Sequence, residues 1–377
     1  MVIFAHIESF KKKGGQPSLL NIKSLNAIVD NIGHQGVVIF FTLSGFLITY
    51  LLLVERSLTA KIDVKKFYMR RALRIWPLYF LIIFLGFFVL PHILNPAYFP
   101  VKTTPDFFLK FFLSVFFLPN ALLFIYGSIF SIGVLWSIGT EEQFYLIWPY
   151  VVKKIKSHLL PKFLIVVLAS IVLLKIILWW LLKQNSVETV SYKVSFVSYH
   201  FLEYDSMVLG ALTAILYFSR GKIIEVLYTV PAQIITYILL CSMLVLFPDL
   251  GAVNNLIFSS MYAIIILNIA TNSNSIFKAV NPILEYLGKI SFGMYLYHSI
   301  CIAIGLKILQ KLHIESSGLG KFNFALYILS FGLTILISTI SFYKIERPFL
   351  KYKKGFMVVK SGEKVNNPKQ LNVNQEL

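Results

Sequence analysis

The sequence contains little cysteine and little charge. Among its 377 residues, only Cys241 and Cys301 are cysteines. Two cysteines inside apolar segments argue against a disulfide framework and a thiolate metal site, and both are expected to be small core residues. Charged residues make up 14% of the chain and hydrophobic residues 57%. Because a soluble core cannot bury so much apolar surface, the composition predicts an integral membrane protein.

Apolar stretches near the length of a membrane crossing recur along almost the whole chain. A transmembrane helix needs about 20 predominantly apolar residues. Crossings are predicted for eight stretches, namely 34–54, 75–94, 163–182, 201–219, 228–247, 254–272, 290–309 and 322–343. A ninth tract, 111–152, is broken by Pro119, Gly127 and Gly133, and is predicted to make one crossing plus a dipping or interfacial piece. The predicted fold class is all-α, a polytopic transmembrane helix bundle of about ten crossings, the first truncated.

Basic residues are distributed unevenly between the loops. With this set of crossings, the loops on one side, taken together with the C-terminal segment, carry 23 Lys and Arg, and the opposite loops carry 10. Because basic residues mark the cytoplasmic side, both ends of the chain are predicted to be cytoplasmic. The net charge of +18 is therefore attributed to membrane orientation, and no nucleic-acid partner is expected.

Different structures are predicted for the two ends of the chain. Residues 1–7 would give roughly 10 Å of helix against a hydrocarbon core of about 30 Å, so they are expected to be the second half of a helix. An upstream in-frame start, adding roughly ten to twenty mostly apolar residues, is expected to complete that crossing. A membrane domain is predicted over 1–354, and a disordered polar cytoplasmic tail over 355–377.

Four short patterns place polar or ionisable side chains in or beside apolar segments, and the first two contain basic residues. His6 ends the first apolar run, where an imidazole can take a proton from a hydroxyl near neutral pH or can simply lie at the interface. Arg71 and Arg74 are three residues apart on one predicted helix face, before Pro77. Two guanidinium groups so placed can bind phosphate oxygens, or they can anchor the cytoplasmic end of a crossing.

The third pattern places two carboxylates, Glu141 and Glu142, in an aromatic apolar segment. A carboxylate there requires a partner or access to water. Tyr145 follows Glu141 by four residues and so shares its helix face, whereas Glu142 is expected to be exposed.

The fourth pattern is a stripe formed by Ser291, Tyr295 and His298 on one predicted helix. Such a stripe suits a polar cavity between helices. It equally suits a hydrogen-bonded packing seam, because hydroxyl residues are common between membrane helices.

Taken in this order, the patterns resemble acyltransferase family 3, the integral-membrane O-acetyltransferases that modify sugars of bacterial surface polymers. The resemblance covers nearly the whole chain and includes the segments 36–49 (GVVIFFTLSGFLIT), 203–211 (EYDSMVLGA) and 345–349 (IERPF). The family's histidine matches His6, and its arginine pair matches Arg71 and Arg74. Its tryptophan-serine to glutamate block matches Trp136, Ser137 and Glu141.

Two family features are not matched. The first-helix arginine, eleven positions before the histidine, would fall before Met1. The family often has arginine where this chain has Glu203.

The resemblance implies transfer of an acetyl or similar short acyl group from cytoplasmic acetyl-CoA to a hydroxyl of a cell-surface or lipid-linked polysaccharide. It places the protein among the lipids of the bacterial inner membrane and implies no metal. The residues expected to form the site are His6 and Glu141 for catalysis, Arg71 and Arg74 for the donor's phosphates, and Trp136, Ser137, Tyr145, Tyr295 and His298 for substrate binding. A transporter or flippase, and a non-catalytic partner in polysaccharide export, are the alternatives.

Overall fold

The computed structural model describes residues 1–16, 23–94, 106–126, 132–184, 203–246, 250–278, 281–314 and 319–357. Nearly all of these residues are helical, and no strand occurs among them, so the all-α prediction is confirmed. The predicted tail, 355–377, lies largely outside the described residues, which end at 357.

The helices of the described residues are labelled in chain order. They are α1 (Val2–Lys13), α2 (Lys23–Thr59), α3 (Val64–Phe84), α4 (Phe107–Val115), α5 (Pro119–Tyr126), α6 (Leu135–Lys154), α7 (Leu160–Gln184), α8 (Tyr204–Phe218), α9 (Lys222–Leu227), α10 (Val230–Leu246), α11 (Asn254–Thr271), α12 (Pro282–Lys311), α13 (Leu319–Ser341) and α14 (Arg347–Lys353). A π-helical turn, Leu85–Val89, extends α3 into a last turn, Leu90–Ile93, and another, Phe342–Glu346, joins α13 to α14.

Six segments of the described chain are long and apolar enough to cross a membrane. They are Asn31–Thr59, Val64–Ile93, Leu160–Leu181, Gly251–Thr271, Pro282–Lys311 and Gly320–Lys353. The crossings predicted at 201–219 and 228–247 correspond to α8 and α10, apolar helices of 15 and 17 residues. At 1.5 Å per residue, these two helices are about 23 and 26 Å long, which is shorter than the hydrocarbon core.

The apolar tract 111–152 is divided between three helices. Helices α4 and α5 have nine and eight residues, and α5 begins at Pro119, where the ring fixes the first helical turn. Helix α6 has 20 residues, about 30 Å. The break expected at Pro119 is confirmed, and the assignment of one net crossing stays a prediction.

Helices α2 and α8 lie so close together that two positions require glycine. A Cβ atom on Gly45 would lie 2.0 Å from the carbonyl oxygen of Met207, and one on Gly210 would lie 2.0 Å from that of Thr42. Small residues allow such close backbone approach between membrane helices. Further along both helices the rings of Tyr50 and Tyr217 are 5.9 Å apart, so α2 and α8 run parallel.

Side-chain hydrogen bonds attach α6 to α2. Trp148 Nε1 donates to Thr49 Oγ1 at 2.8 Å. Arg56 Nη1 donates to the backbone oxygens of Val152 and Ile155, at 3.1 and 3.0 Å. These bonds satisfy carbonyls at the C-terminal end of α6, which have no partner within the helix.

The start of α3 is capped by Asp63. Its carboxylate accepts a hydrogen bond from the backbone N–H of Lys66 at 2.9 Å. This hydrogen bond holds the pKa of Asp63 below its ordinary value. The cap fixes where α3 begins and therefore which turns carry Arg71 and Arg74.

The two cysteines differ in environment. Cys301 is buried, as predicted, but Cys241 is exposed, so the prediction of a core position is wrong for Cys241. The α10 side chains around it, including Ile238, Leu239 and Val245, are also exposed and apolar. The periphery of a membrane bundle is apolar because lipid surrounds it, so an apolar sequence context does not distinguish core from surface.

Candidate active site

Two histidines from different helices meet at one end of the predicted site. His6 of α1 and His298 of α12 have their ring centroids 4.8 Å apart, with Nδ1 of His6 3.2 Å from Nε2 of His298. Ser299 Oγ lies 3.4 Å from the same Nδ1. The sequence placed these histidines 292 residues apart, and the fold brings them into contact.

A backbone carbonyl fixes the hydrogen positions on both rings. Nδ1 of His298 is 2.6 Å from the carbonyl oxygen of Tyr295, which can only accept, so this nitrogen carries the proton. In a neutral His298 ring, Nε2 is then an acceptor, and Nδ1 of His6 must donate to it. This arrangement leaves the lone pair of His6 on Nε2, which is the nitrogen available to accept a proton.

Tyr295 connects α12 to α6. Its hydroxyl is 2.6 Å from Ser137 Oγ and donates to the carbonyl oxygen of Val134 at 3.3 Å. The Tyr295 ring is stacked on that of Phe40 of α2, with centroids 6.2 Å apart. The hydroxyl stripe predicted on this helix therefore reaches a partner on another helix.

Trp136 has a packing contact next to this connection. Its ring meets that of Phe41 edge-on, with centroids 6.0 Å apart. The residue is partly buried, which agrees with a position at the edge of the site. Its assignment to substrate binding stays a prediction.

Glu141 has two hydroxyl partners. Its Oε1 atom accepts hydrogen bonds from Ser44 of α2 and from Tyr145, and the two hydroxyl oxygens are 2.5 Å apart. All three side chains are buried. A partner for this carboxylate was predicted, and Tyr145 fills that role. Ser44 is a site residue that the sequence analysis does not predict, although it lies in the segment 36–49 that resembles the family.

The three neighbouring arginines of α3 have different environments. Arg71 is buried, with its guanidinium 5.4 Å from the Tyr145 ring centre, whereas Arg74 is exposed. The buried Nε of Arg71 has no hydrogen-bond partner among the described residues. Arg70 instead pairs with Glu55 at 2.7 Å and donates to the carbonyl oxygen of Phe356 at 2.9 Å. Arg70 is therefore held by protein partners, whereas Nε of Arg71 has none among the described residues.

Together these groups form a polar column through the bundle. We use this term for His6, His298, Tyr295, Ser137, Glu141, Ser44, Tyr145 and Arg71, in that order. On α6 the residues Ser137, Glu141 and Tyr145 are four apart, so this part of the column extends about 12 Å. The column joins the histidine pair to the arginines of α3.

Two expectations about neighbouring residues are wrong. Ser291 is exposed and donates to the carbonyl oxygen of Gly288 in its own helix, so it does not continue the stripe of Tyr295 and His298. Glu142, expected to be exposed, is partly buried and accepts a hydrogen bond from Trp76 Nε1 at 3.1 Å. The indole of α3 covers one side of this carboxylate.

A cavity of about 350 Å³ lies apart from the column, between α2, α8 and α9. Its lining includes Tyr50, Tyr217, Tyr228 and Arg220, and none of the predicted site residues. The chemistry of the column, rather than cavity size, therefore identifies the candidate site.

Similarity to a known protein family extends over most of the chain. The family described as "Acyltransferase domain" matches residues 1–343. The chain belongs to this acyltransferase family. With six segments long enough to cross a membrane, this acyltransferase-family chain is a multi-pass membrane protein. No solved structure matches it.

Curated relatives of this acyltransferase-family chain are named O-acetyltransferases. "O-acetyltransferase OatA" of Staphylococcus aureus (strain NCTC 8325 / PS 47) is 30% identical over 356 residues, covering 89% of this chain and 55% of the relative. "Peptidoglycan O-acetyltransferase OatA" of Listeria monocytogenes is 25% identical over 342 residues, covering 86% and 53%. The chain thus spans about half the length of the curated relatives it matches.

Proposed function

We propose that the chain is an integral-membrane O-acyltransferase, which moves an acetyl or similar short acyl group from acetyl-CoA to a hydroxyl of a cell-surface polysaccharide. The observation that carries the proposal is the polar column, which joins a histidine with a free lone pair to a buried arginine. Family membership and the printed names of the relatives support it. The transporter and export-partner alternatives are not favoured.

The donor would bind at the α3 end of the column. Among the described residues, the buried Nε of Arg71 has no hydrogen-bond partner, and the exposed Arg74 follows one turn later. Guanidinium groups bind phosphate oxygens with paired N–H groups, and the diphosphate of acetyl-CoA supplies such oxygens. Basic residues are concentrated on this side of the predicted topology, which supports a cytoplasmic donor.

The acceptor reaction would occur at His6. Nε2 of His6 takes the proton of the acceptor hydroxyl, and the hydroxyl oxygen forms a bond to the thioester carbonyl carbon. The tetrahedral intermediate then breaks its carbon–sulfur bond, and the departing thiolate receives the proton from His6. The products are an O-acyl sugar and free CoA, and His6 returns to its neutral form.

His298 and Glu141 would support this reaction without touching the reacting atoms. His298 holds the proton of His6 on Nδ1 and so keeps Nε2 unprotonated. Glu141 holds the Tyr145 hydroxyl, and the Tyr145 ring lies against the guanidinium of Arg71. We therefore assign Glu141 to positioning the donor-binding arginine.

Transfer by the purified protein in lipid nanodiscs tests the proposal. The protein is incubated with acetyl-CoA labelled in the acetyl group and with soluble β-1,4-linked N-acetylglucosamine oligomers or peptidoglycan fragments. We expect label in alkali-sensitive ester linkage to the saccharide and release of free CoA. Binding of neither acetyl-CoA nor saccharide, with no ester formed, would overturn the proposal.

A further inference from the structure

A second group of buried polar side chains lies beside α2, outside the polar column. We call Glu203, His34, Asn255, Lys175 and Asp205 the Glu203 cluster. These residues come from α2, α7, α11 and the start of α8. Glu203, Asp205, Lys175 and Asn255 are buried, and His34 is partly buried.

Glu203 is the unsatisfied member of this cluster. It is fully buried, yet neither carboxylate oxygen accepts a hydrogen bond from any group that the structure describes. Nε2 of His34 lies 3.6 Å from its Oε1 atom, beyond hydrogen-bonding distance, and is 3.2 Å from Asn255 Oδ1. A buried carboxylate without donors costs far more free energy than one with them.

The cation of the cluster is already paired. Nζ of Lys175 lies 2.6 Å from Oδ2 of Asp205, and both side chains are almost fully buried. Lys175 and Asp205 therefore neutralise each other, and among the described residues the carboxylate of Glu203 faces His34 at 3.6 Å without a hydrogen bond. Among the residues that the structure describes, none supplies the donors, which leaves room for a ligand at this carboxylate.

The Glu203 cluster lies at the same level along the helix bundle as the His6–His298 pair. A Cβ atom on Gly33 of α2 would lie 2.4 Å from the Cβ of Ala5 of α1, so the two helices touch at these residues. His34 and His6 are the next residues along α2 and α1. Tyr204, which follows Glu203, donates to Gln143 of α6 at 2.6 Å. The Glu203 cluster thus lies next to α1 and α6, two of the helices that carry the polar column.

We propose that Glu203, with His34 and Asn255, binds hydroxyl groups of the carbohydrate acceptor and so places another hydroxyl of that sugar for reaction at His6. This inference rests on the proposed function. Sugar hydroxyls supply the donors that the carboxylate lacks, and they bring no charge. A cationic ligand would meet Lys175 and His34, and a phosphate would be repelled by Glu203 and Asp205.

The main test compares wild type with Glu203→Gln in nanodiscs. The Gln variant keeps the shape of the side chain but has one accepting oxygen instead of two. We expect KM for an N-acetylglucosamine pentamer to rise about tenfold, as for loss of hydrogen bonds to a charged group, with kcat at saturating pentamer and Kd for acetyl-CoA unchanged. An unchanged KM, or a fall in kcat alone with a shifted pH profile, would overturn the inference in favour of a proton-carrying or structural carboxylate.

A pair of asparagines on α11 provides a matched control. Asn255 belongs to the cluster, whereas Asn268 is a buried asparagine further along the same helix that donates to the carbonyl oxygens of Leu227 and Ile264. We expect Asn255→Ala to raise KM for the pentamer and Asn268→Ala to leave it unchanged. Equal KM values for both variants would contradict the inference even if Glu203→Gln does not fold.

Direct binding separates this inference from the proposed function. Calorimetry of pentamer binding needs no turnover, so it can be read even if wild type transfers no acetyl group. Saturable binding by wild type, weakened about tenfold by Glu203→Gln, would support the subsite. Absence of saturable binding, or equal binding by both forms, would overturn it.

Discussion

Nδ1 of His6 lies 3.2 Å from Nε2 of His298, and the second nitrogen of His298 is bound to a backbone carbonyl. This relationship assigns different tasks to two residues of the same type. His6 presents a lone pair at Nε2, and His298 determines which nitrogen of His6 carries it. A neutral imidazole thereby performs the orienting task without adding a charge to the membrane interior.

Substitutions at the histidine pair test this division of tasks. His6→Gln should lower kcat for acyl transfer by roughly 10²–10⁴, the usual effect of losing a general base. His298→Leu should lower kcat less, and His298→Gln, which keeps an acceptor near His6, should retain more activity than His298→Leu. Turnover is measured at saturating acetyl-CoA and acceptor.

A double variant distinguishes positioning from independent structural damage. If His298 acts through His6, then His6→Gln combined with His298→Leu should be no slower than His6→Gln alone. Multiplicative losses would show that His298 acts separately.

The arginines of α3 provide a prediction with an internal control. Arg71→Ala together with Arg74→Ala should raise Kd for CoA by roughly a hundredfold or more, because each guanidinium-phosphate pair contributes ~1.5–3 kcal/mol and about 1.4 kcal/mol corresponds to a factor of ten. Membrane insertion and expression should persist. Arg70→Ala, which breaks the pair with Glu55, should instead lower thermal stability and leave Kd for CoA nearly unchanged. Equal CoA affinity in wild type and the double variant would remove Arg71 and Arg74 from the donor site.

Glu141 should be sensitive to replacement of its carboxyl group by an amide. Glu141→Gln retains the size of the side chain but replaces one accepting oxygen by an N–H group that faces hydroxyl neighbours or Arg71. We expect acyl transfer to fall about tenfold or expression to fall, since breaking a buried hydrogen-bonded carboxylate costs ~1–3 kcal/mol. Glu142→Gln should change acyl transfer and expression much less, because Glu142 accepts one hydrogen bond among the described residues, from Trp76. A fully active and normally expressed Glu141→Gln would contradict the assigned role.

The glycines between α2 and α8 predict a stability difference. Gly45→Ala should destabilise the protein by about 1–3 kcal/mol, the usual cost of inserting a group into a filled contact. Gly332→Ala on α13 is the control, because its added Cβ would meet no atom within 4 Å. Thermal unfolding of the two variants in the same detergent measures the difference. A Gly45→Ala protein as stable as Gly332→Ala would show that the close approach is not required.

Much of the fold could be predicted from the sequence. The length of an apolar stretch can be counted from neighbouring residues, and the thickness of the membrane sets the length that a crossing needs. The stretches around α7 and α11 were located within a few residues. Helix periodicity also paired Glu141 with Tyr145 correctly. Ser291 could not be assigned correctly in this way, because periodicity gives the face of a helix and says nothing of what that face meets.

Partners distant in sequence could not be predicted. Ser44 reaches Glu141 across 97 positions, and His298 reaches His6 across 292. Glu203 was noted only as a departure from a family pattern, because His34 and Asn255 become its neighbours only when α2, α8 and α11 pack together. The arrangement of cation and carboxylate around a buried site depends on that packing.

The glycine contacts between α2 and α8 also bear on motion. Since backbone touches backbone at Gly45 and Gly210, these two helices cannot slide past each other without a clash, and they are expected to move as one rigid body. Ser44 travels with α2 and Glu203 with the start of α8, so the spacing between the hydroxyl donor to Glu141 and the proposed sugar subsite would stay constant.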